Sequence, residues 1–80
     1  MSTLAVKSPD ALAVEAHCDR EFLHVRLSDG REVSAPLQWF PRLRDATAAQ
    51  RKNWRLIGQG VGIHWEDIDE DISVAGLLRS

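Results

Sequence analysis

Hydrophobic and polar residues alternate in three consecutive stretches between residues 11 and 37. A period of two places successive side chains on opposite faces of a strand, so each stretch predicts a β-strand with one buried face. In the first strand the expected buried face is Leu12, Val14, Ala16 and Cys18. Residues 28–31 contain Asp-Gly, which supplies the positive φ angles of a tight hairpin turn. Pro36 lacks a backbone donor, so the third strand is expected to end there or to lie at an edge.

The apolar spacing changes after the third strand. Apolar residues one and four positions apart predict a short helix over residues 38–44, with Trp39 on its buried face. Thr47 and Gln50 have the spacing of a capping box, in which the hydroxyl accepts from the Gln50 N–H and the Gln50 side chain reaches back. This motif predicts a second short helix over residues 48–55.

Three alternating glycines at 58, 60 and 62 indicate a flexible stretch or a close backbone approach, leading into a short fourth strand over residues 62–65. An acidic loop is expected next, and Ser73 is expected to cap a final short helix. The predicted class is α+β: a three-stranded antiparallel meander followed by two short helices, a short fourth strand and a C-terminal short helix. Residues 1–10 are expected to be a lead-in and residues 11–80 a single domain.

The composition excludes several classes of protein but does not identify a function. A chain of 80 residues with 44% hydrophobic and 28% charged residues is typical of one small globular domain. Such a domain has little room for an enzyme pocket beside its core. The single cysteine cannot form an internal disulfide, no apolar run approaches the roughly 20 residues of a membrane span, and the first residues lack a signal-peptide pattern. We therefore predict a cytoplasmic protein that does not contact a membrane and is not an enzyme.

Charge is unevenly distributed, although the net charge is only −2. Residues 20–55 carry a net charge of +4, and residues 56–80 carry −4. The acidic part holds five carboxylates in the six positions 66–71, which is either a solvated loop or a surface for a basic partner. Tryptophans left exposed near it would be interface anchors, although most are expected in the core. The partner-binding candidates are Trp39, His64, Trp65, Glu66, Asp67, Asp69, Glu70 and Asp71.

The basic middle of the chain supports an alternative hypothesis, a DNA-associated transcriptional regulator. The nucleic-acid-binding candidates are Arg42, Arg44, Arg51, Lys52 and Arg55. Basic residues on one face of a helix contact phosphates, and such binding weakens steeply with salt. The predicted helices are short and lack helix-turn-helix spacing, so nucleic acid is an alternative partner and not the favoured one.

A metal-assisted enzyme is the second alternative, with His64 and the carboxylates of residues 69–71 around an ion. His17 and His24 are expected as neighbours on the polar faces of adjacent strands. Cys18 points to the opposite face from His17, so these three residues do not form a zinc site, and Cys18 is expected to be a buried, inert thiol. The glycine spacing is not that of a dinucleotide-binding loop. No catalytic residue, cofactor or metal site is therefore predicted.

Several short motifs, in order and with matching spacing, resemble a bacterial family called domain of unknown function 2442. The motifs are Leu27-Ser-Asp-Gly-Arg31, Pro36-Leu37-Gln38-Trp39-Phe40-Pro41-Arg42-Leu43, Ala46-Thr47, Asn53-Trp54, Gly58, Ile63-His64-Trp65, Asp69-Glu70-Asp71-Ile72-Ser73 and Leu77-Leu78. The resemblance implies a small α+β domain, often encoded beside a second small protein in an arrangement like a toxin–antitoxin pair. It implies no catalytic residues.

The leading hypothesis is thus a small non-enzymatic protein-interaction domain, the antitoxin-like member of such a pair. Its expected partner is a small basic protein encoded nearby, attracted by complementary charge and held by aromatic anchors. A homodimer is also expected, because an uncovered edge strand at residues 33–37 or 62–65 can pair with a second copy.

Overall fold

The computed structural model describes residues 11–79, which form two three-stranded antiparallel sheets, β1–β2–β3 and β4–β5–β6. The strands are β1 Ala13–Cys18, β2 Phe22–Leu27, β3 Glu32–Pro36, β4 Trp54–Ile57, β5 Gly62–Trp65 and β6 Glu70–Ser73. The α-helices are α1 Pro41–Arg44, α2 Ala48–Lys52 and α3 Val74–Arg79, and 3₁₀ turns occupy Leu37–Trp39, Gly58–Gly60 and Glu66–Ile68. The α+β class is confirmed. The predicted lead-in, residues 1–10, lies outside the described residues.

The first sheet is the predicted meander, with its hairpin turn and its edge proline in the expected places. Gly30 has a φ of +95° in the turn, and β3 ends at Pro36 on the edge of the sheet. The predicted buried face of β1 is right at Ala16 and wrong at Val14, because a register shift lies between Ala13 and Glu15. Ala13 and Ala16 are buried, whereas Val14 is exposed. A bulge adds one residue and turns the following side chains to the other face.

The predicted helix over residues 38–44 is interrupted. Pro41 begins α1, and the residue before a proline is driven out of helical geometry by the proline ring. Phe40 accordingly has φ −130° and ψ 80°, which separates the turn Leu37–Trp39 from α1. The interruption buries Leu37 and Leu43 but leaves Trp39 exposed, so the expectation that Trp39 would pack against the sheet is wrong.

Helix α2 begins as predicted and ends three residues early. The Thr47 hydroxyl accepts from the Gln50 N–H at 3.1 Å, and the Gln50 side chain accepts from the Thr47 N–H at 2.9 Å. The predicted end at residue 55 is wrong, because residues 54–57 form β4 and pair with β5. The aromatic and branched residues of this segment suit a strand once a neighbouring strand is present.

The expected acidic loop is also corrected by the second sheet. Residues 66–68 form a 3₁₀ turn, Asp69 adopts a left-handed conformation, and Glu70 starts the edge strand β6. The predicted fourth strand is confirmed as β5, but it is central and pairs on both sides, so its expected role as a free edge is wrong. The Ser73 hydroxyl accepts from the Gly76 N–H at 2.9 Å, which confirms the predicted cap.

One core cluster joins the inner faces of both sheets. Its buried members are Ala11, Ala13, Ala16, Leu23, Val25, Leu27, Ala35, Leu37, Leu43, Ile63, Trp65, Ile72, Val74 and Leu77. The predicted close approach at the glycines is confirmed at Gly60, which has a φ of +116°. A Cβ there would lie 2.5 Å from the Ala13 carbonyl oxygen, so only glycine lets the second sheet approach β1 this closely.

Candidate functional site around Trp39 and the acidic segment

Trp39 is the most exposed of the three tryptophans. It lies in the turn that follows β3, and 54% of its surface is accessible. It borders a cleft of about 360 Å³ that Phe40, Asp71 and Leu77 also line. Trp39 therefore stands beside the carboxylate-bearing strand β6, as the partner-binding hypothesis requires. We call Trp39, Phe40 and the five acidic residues of positions 66–71 the Trp39 surface.

Trp65 does not belong to this surface. It is fully buried, and its indole N–H donates to the Arg51 carbonyl at 3.0 Å. That carbonyl lies in the last turn of α2, where backbone acceptors lack partners within the helix. The buried indole of Trp65 therefore supplies a hydrogen-bond donor to one of these acceptors. The assignment of Trp65 as a partner-binding candidate is corrected, because a side chain with no accessible surface cannot contact a partner.

The acidic segment, residues 66–71, is held to the fold mainly through its backbone and its first residues. Arg42 donates to the Asp69 carbonyl at 2.7 Å, and the Asn53 amide donates to the Asp67 carboxylate at 3.0 Å. Within residues 11–79, the carboxylates of Asp69 and Glu70 accept no hydrogen bond and form no ion pair. These two charges are consequently available to a cation brought by another molecule.

His64 lies at the centre of a polar row on the outer face of the second sheet. Register places it between Arg55 on β4 and Asp71 on β6. Its Nδ1 contacts the Asp71 carboxylate, and its Nε2 lies 2.9 Å from the Glu66 carboxylate, which also pairs with Arg55 at 3.6 Å. Asp71 first and then Glu66 raise the pKa of His64 above its ordinary value, because both stabilise the imidazolium.

This geometry bears on the hypothesis of a metal-assisted enzyme. An ionised carboxylate only accepts hydrogen bonds, so the protonated ring of His64 donates from both nitrogens, and a metal would have to displace one of the two carboxylates. The row is a surface ion-pair network, and Asp71 and Glu66 are each 69% exposed at their side chains. His64 does not line the Trp39 cleft, nor the larger cleft of about 610 Å³ between β1 and α2. The enzyme hypothesis stays a prediction that this arrangement does not favour.

The structure disperses the five basic residues proposed for nucleic acid. Arg51 donates to the carbonyls of Leu43 and Arg44, at 3.1 Å and 2.6 Å, and Arg44 pairs with Asp45. Arg42 and Arg55 are engaged with the acidic segment. Lys52 is exposed and forms no ion pair with any residue in the described part of the chain. The predicted basic helix face is broken because Arg55 belongs to a strand, and the DNA hypothesis stays a prediction.

Sequence reasoning missed the neighbours that complete the site. Phe40 and Leu77 line the Trp39 cleft, and Arg55 extends the His64 row. Pro41 was the available signal for the break that exposes Trp39. Cys18 is half-buried rather than fully buried, and burial raises the pKa of its thiol, in keeping with the predicted low reactivity.

A family model described as "Protein of unknown function (DUF2442)" matches residues 13–80. The chain belongs to this family. The chain is also similar to a crystal structure of a protein of unknown function from Rhodospirillum rubrum ATCC 11170, with 32% sequence identity and a TM-score of 0.74. The similarity covers 88% of this chain and 87% of that one.

Among proteins with curated descriptions, none matches this DUF2442 chain. Among the helices of residues 11–79, none has the length and apolar character needed to cross a membrane.

Proposed function

We propose that this DUF2442 domain is a non-enzymatic protein-interaction module that binds a basic protein through the Trp39 surface. The observation that carries the proposal is the exposure of Trp39 beside a cleft lined by Asp71. A small domain gains stability by burying tryptophan, as Trp65 illustrates. A tryptophan kept half exposed next to a cleft and a cluster of charge is typical of an interface anchor.

The charge of the surface defines the chemistry of the partner. Five carboxylates lie in this segment, and the basic side chains in contact with it are Arg42, Arg55 and His64. Its excess of negative charge favours a partner surface rich in lysine and arginine. Asp69 and Glu70 form no ion pair within residues 11–79, so pairing with a partner breaks no contact that the fold needs.

The carboxylates and the aromatic residues of the Trp39 surface are expected to contribute to binding in different ways. Exposed carboxylates speed encounter and suppress wrong partners, and salt weakens this contribution. The indole and the neighbouring Phe40 supply apolar area at the centre of the contact, which sets the lifetime of the complex. The family resemblance extends the proposal to an antitoxin-like role in the reducing cytoplasm, with a small basic protein encoded nearby as the partner.

The decisive experiment measures binding of the purified protein encoded beside this chain by calorimetry and by association kinetics at two salt concentrations. We expect micromolar or tighter binding at low salt. Trp39→Ala is expected to weaken affinity by about 30-fold, the effect of losing an anchor residue. Val61→Ala is the matched control, because Val61 is also 54% exposed but lies in a different surface turn.

A second pair of variants tests the charge. Asp69→Asn is expected to slow association and reduce its salt dependence, and asparagine tolerates the left-handed conformation of that residue. Glu21→Gln removes one exposed charge elsewhere on the surface. It is expected to change neither the association rate nor its salt dependence. The proposal is wrong if no complex forms at micromolar concentration and low salt, or if Trp39→Ala binds as well as Val61→Ala.

A further inference from the structure

A second cluster of polar side chains lies on the outer face of the first sheet. His17 on β1 and His24 on β2 are direct cross-strand partners, and their rings stack with centroids 4.8 Å apart. Glu32 reaches the same face from β3. One potential ligand atom from each of the three side chains lies within 4.8 Å of the other two. We propose that His17, His24 and Glu32 bind a divalent transition metal, with zinc as the preferred ion.

The donor set matches the chemistry of zinc. Two imidazoles and one carboxylate are a known set of protein ligands for zinc, and a water or another ligand completes the tetrahedron. Imidazole nitrogens also discriminate against magnesium and calcium, which prefer oxygen donors. The three ligands come from three adjacent strands, so a bound ion would connect the whole first sheet across its solvent face.

The present separations are close to those that a metal needs. Bonds of about 2.0–2.1 Å at tetrahedral angles place ligand atoms about 3.3 Å apart. His17 and Glu32 are exposed, so rotation of their side chains can close the remaining gap without moving the strands. Arg26, which lies opposite Glu32 across the pair β2–β3, is already paired with Glu15 at 2.5 Å, which offsets its repulsion of an incoming ion.

Asp19 supplies the orienting contact that metal-binding histidines require. Its carboxylate accepts from His24 Nε2 at 2.8 Å and from the backbone N–H groups of Glu21 and Phe22 at 2.8 and 2.7 Å. A carboxylate on one ring nitrogen fixes the tautomer in which the other nitrogen is the ligand.

Nδ1 of His24 is then the atom that faces the metal. At present it lies 2.7 Å from the Ser34 hydroxyl. A hydroxyl can donate as well as accept, so this contact allows Nδ1 to act as the acceptor. His64, by contrast, has a carboxylate on each nitrogen, which makes it the internal control.

The experiment uses tag-free full-length protein treated with a chelator and then titrated with zinc sulfate by calorimetry, with thermal unfolding measured in parallel. We expect one zinc per chain and a higher Tm in its presence, because a ligand of the native state stabilises it. His17→Asn and Glu32→Gln are each expected to weaken zinc affinity tenfold or more, whereas His64→Asn is expected to leave it unchanged.

Two further measurements separate the site from unspecific binding. Cobalt substitution is expected to produce the intense visible absorption of a tetrahedral centre in the wild type and to lose it in Glu32→Gln. Asp19→Asn is expected to weaken zinc about 10–100-fold while the stoichiometry stays at one, the effect of losing an orienting partner. The proposal is overturned if zinc neither binds saturably nor raises the Tm, or if His64→Asn reduces affinity as much as His17→Asn.

Discussion

The two sheets carry the same outer pattern with opposite chemical consequences. Each central strand places a histidine in the middle of a cross-strand row, His24 in the first sheet and His64 in the second. His24 has a second imidazole on one side and a hydroxyl on the other, whereas His64 lies between Arg55 and Asp71. Both ring nitrogens of His64 meet carboxylates, which only accept hydrogen bonds, whereas Nδ1 of His24 meets a hydroxyl, which can also donate. The chemical role of each histidine thus depends on its cross-strand neighbours more than on its residue type.

The inner faces differ as well. The first sheet is packed with small and aliphatic side chains, whereas the second is centred on Trp65, which is opposite Trp54 across the pair β4–β5. The second sheet has four-residue strands against five or six in the first, so one large aromatic supplies much of its buried area. The comparison therefore predicts unequal sensitivity to mutation.

The largest effect is expected from Trp65→Ala. Loss of a fully buried indole and of its hydrogen bond to Arg51 should reduce the free energy of unfolding by about 3–5 kcal/mol, measured by urea denaturation. Trp39→Ala is the matched control and should stay within about 0.5 kcal/mol of the wild type, since it removes an exposed ring. Equal losses in both variants would contradict the assignment of Trp65 to the core and Trp39 to the surface.

A smaller effect tests the contact between the sheets. Gly60→Ala forces a methyl group against the Ala13 carbonyl at a positive φ and should cost more than about 2 kcal/mol in thermal or urea unfolding. Gly30→Ala has the same type of backbone strain in open space and should cost only about 1 kcal/mol. If Gly60→Ala proves as mild as Gly30→Ala, the turn does not press against β1.

The smallest effect is the pH dependence of the second sheet. The pKa of His64 is raised above 6.5, so its contribution to stability is complete below about pH 6.5 and is lost as the pH rises through the raised value. The Tm of the wild type relative to His64→Gln should therefore fall as the pH rises above 6.5.

Asp71→Asn identifies the source of that shift. It removes the main cause of the raised pKa, so an NMR titration of the His64 ring should move toward the ordinary value. An unchanged titration midpoint would contradict the assigned row of Arg55, His64 and Asp71.

The parts of the fold that depend on local sequence were predictable. Alternation identified β1 to β3, the Asp-Gly pair identified their turn, and the spacing of Thr47 and Gln50 identified the start of α2. The second sheet was not predictable in the same way. Residues 54–57 have a helix-compatible pattern, and only pairing with β5 makes them a strand, which no single segment encodes.

The candidate site shows the same limit. Trp39 and the carboxylates were identified by type, but their proximity arises because Phe40 leaves helical geometry before Pro41 and β6 adds to the sheet edge. Trp65 was assigned to the surface because its burial depends on a core assembled from both sheets. The zinc candidate was missed because Glu32 comes from the third strand, fifteen residues from His17 along the chain.

Within residues 11–79, every strand pairs only with the strand before or after it in the sequence. Each sheet can therefore form from hairpins that close short loops, and no distant segments must find each other before strand pairing begins. Chains dominated by such near-neighbour contacts cross their kinetic barrier quickly for their size. Refolding after dilution from denaturant should accordingly be rapid for a protein so rich in strands.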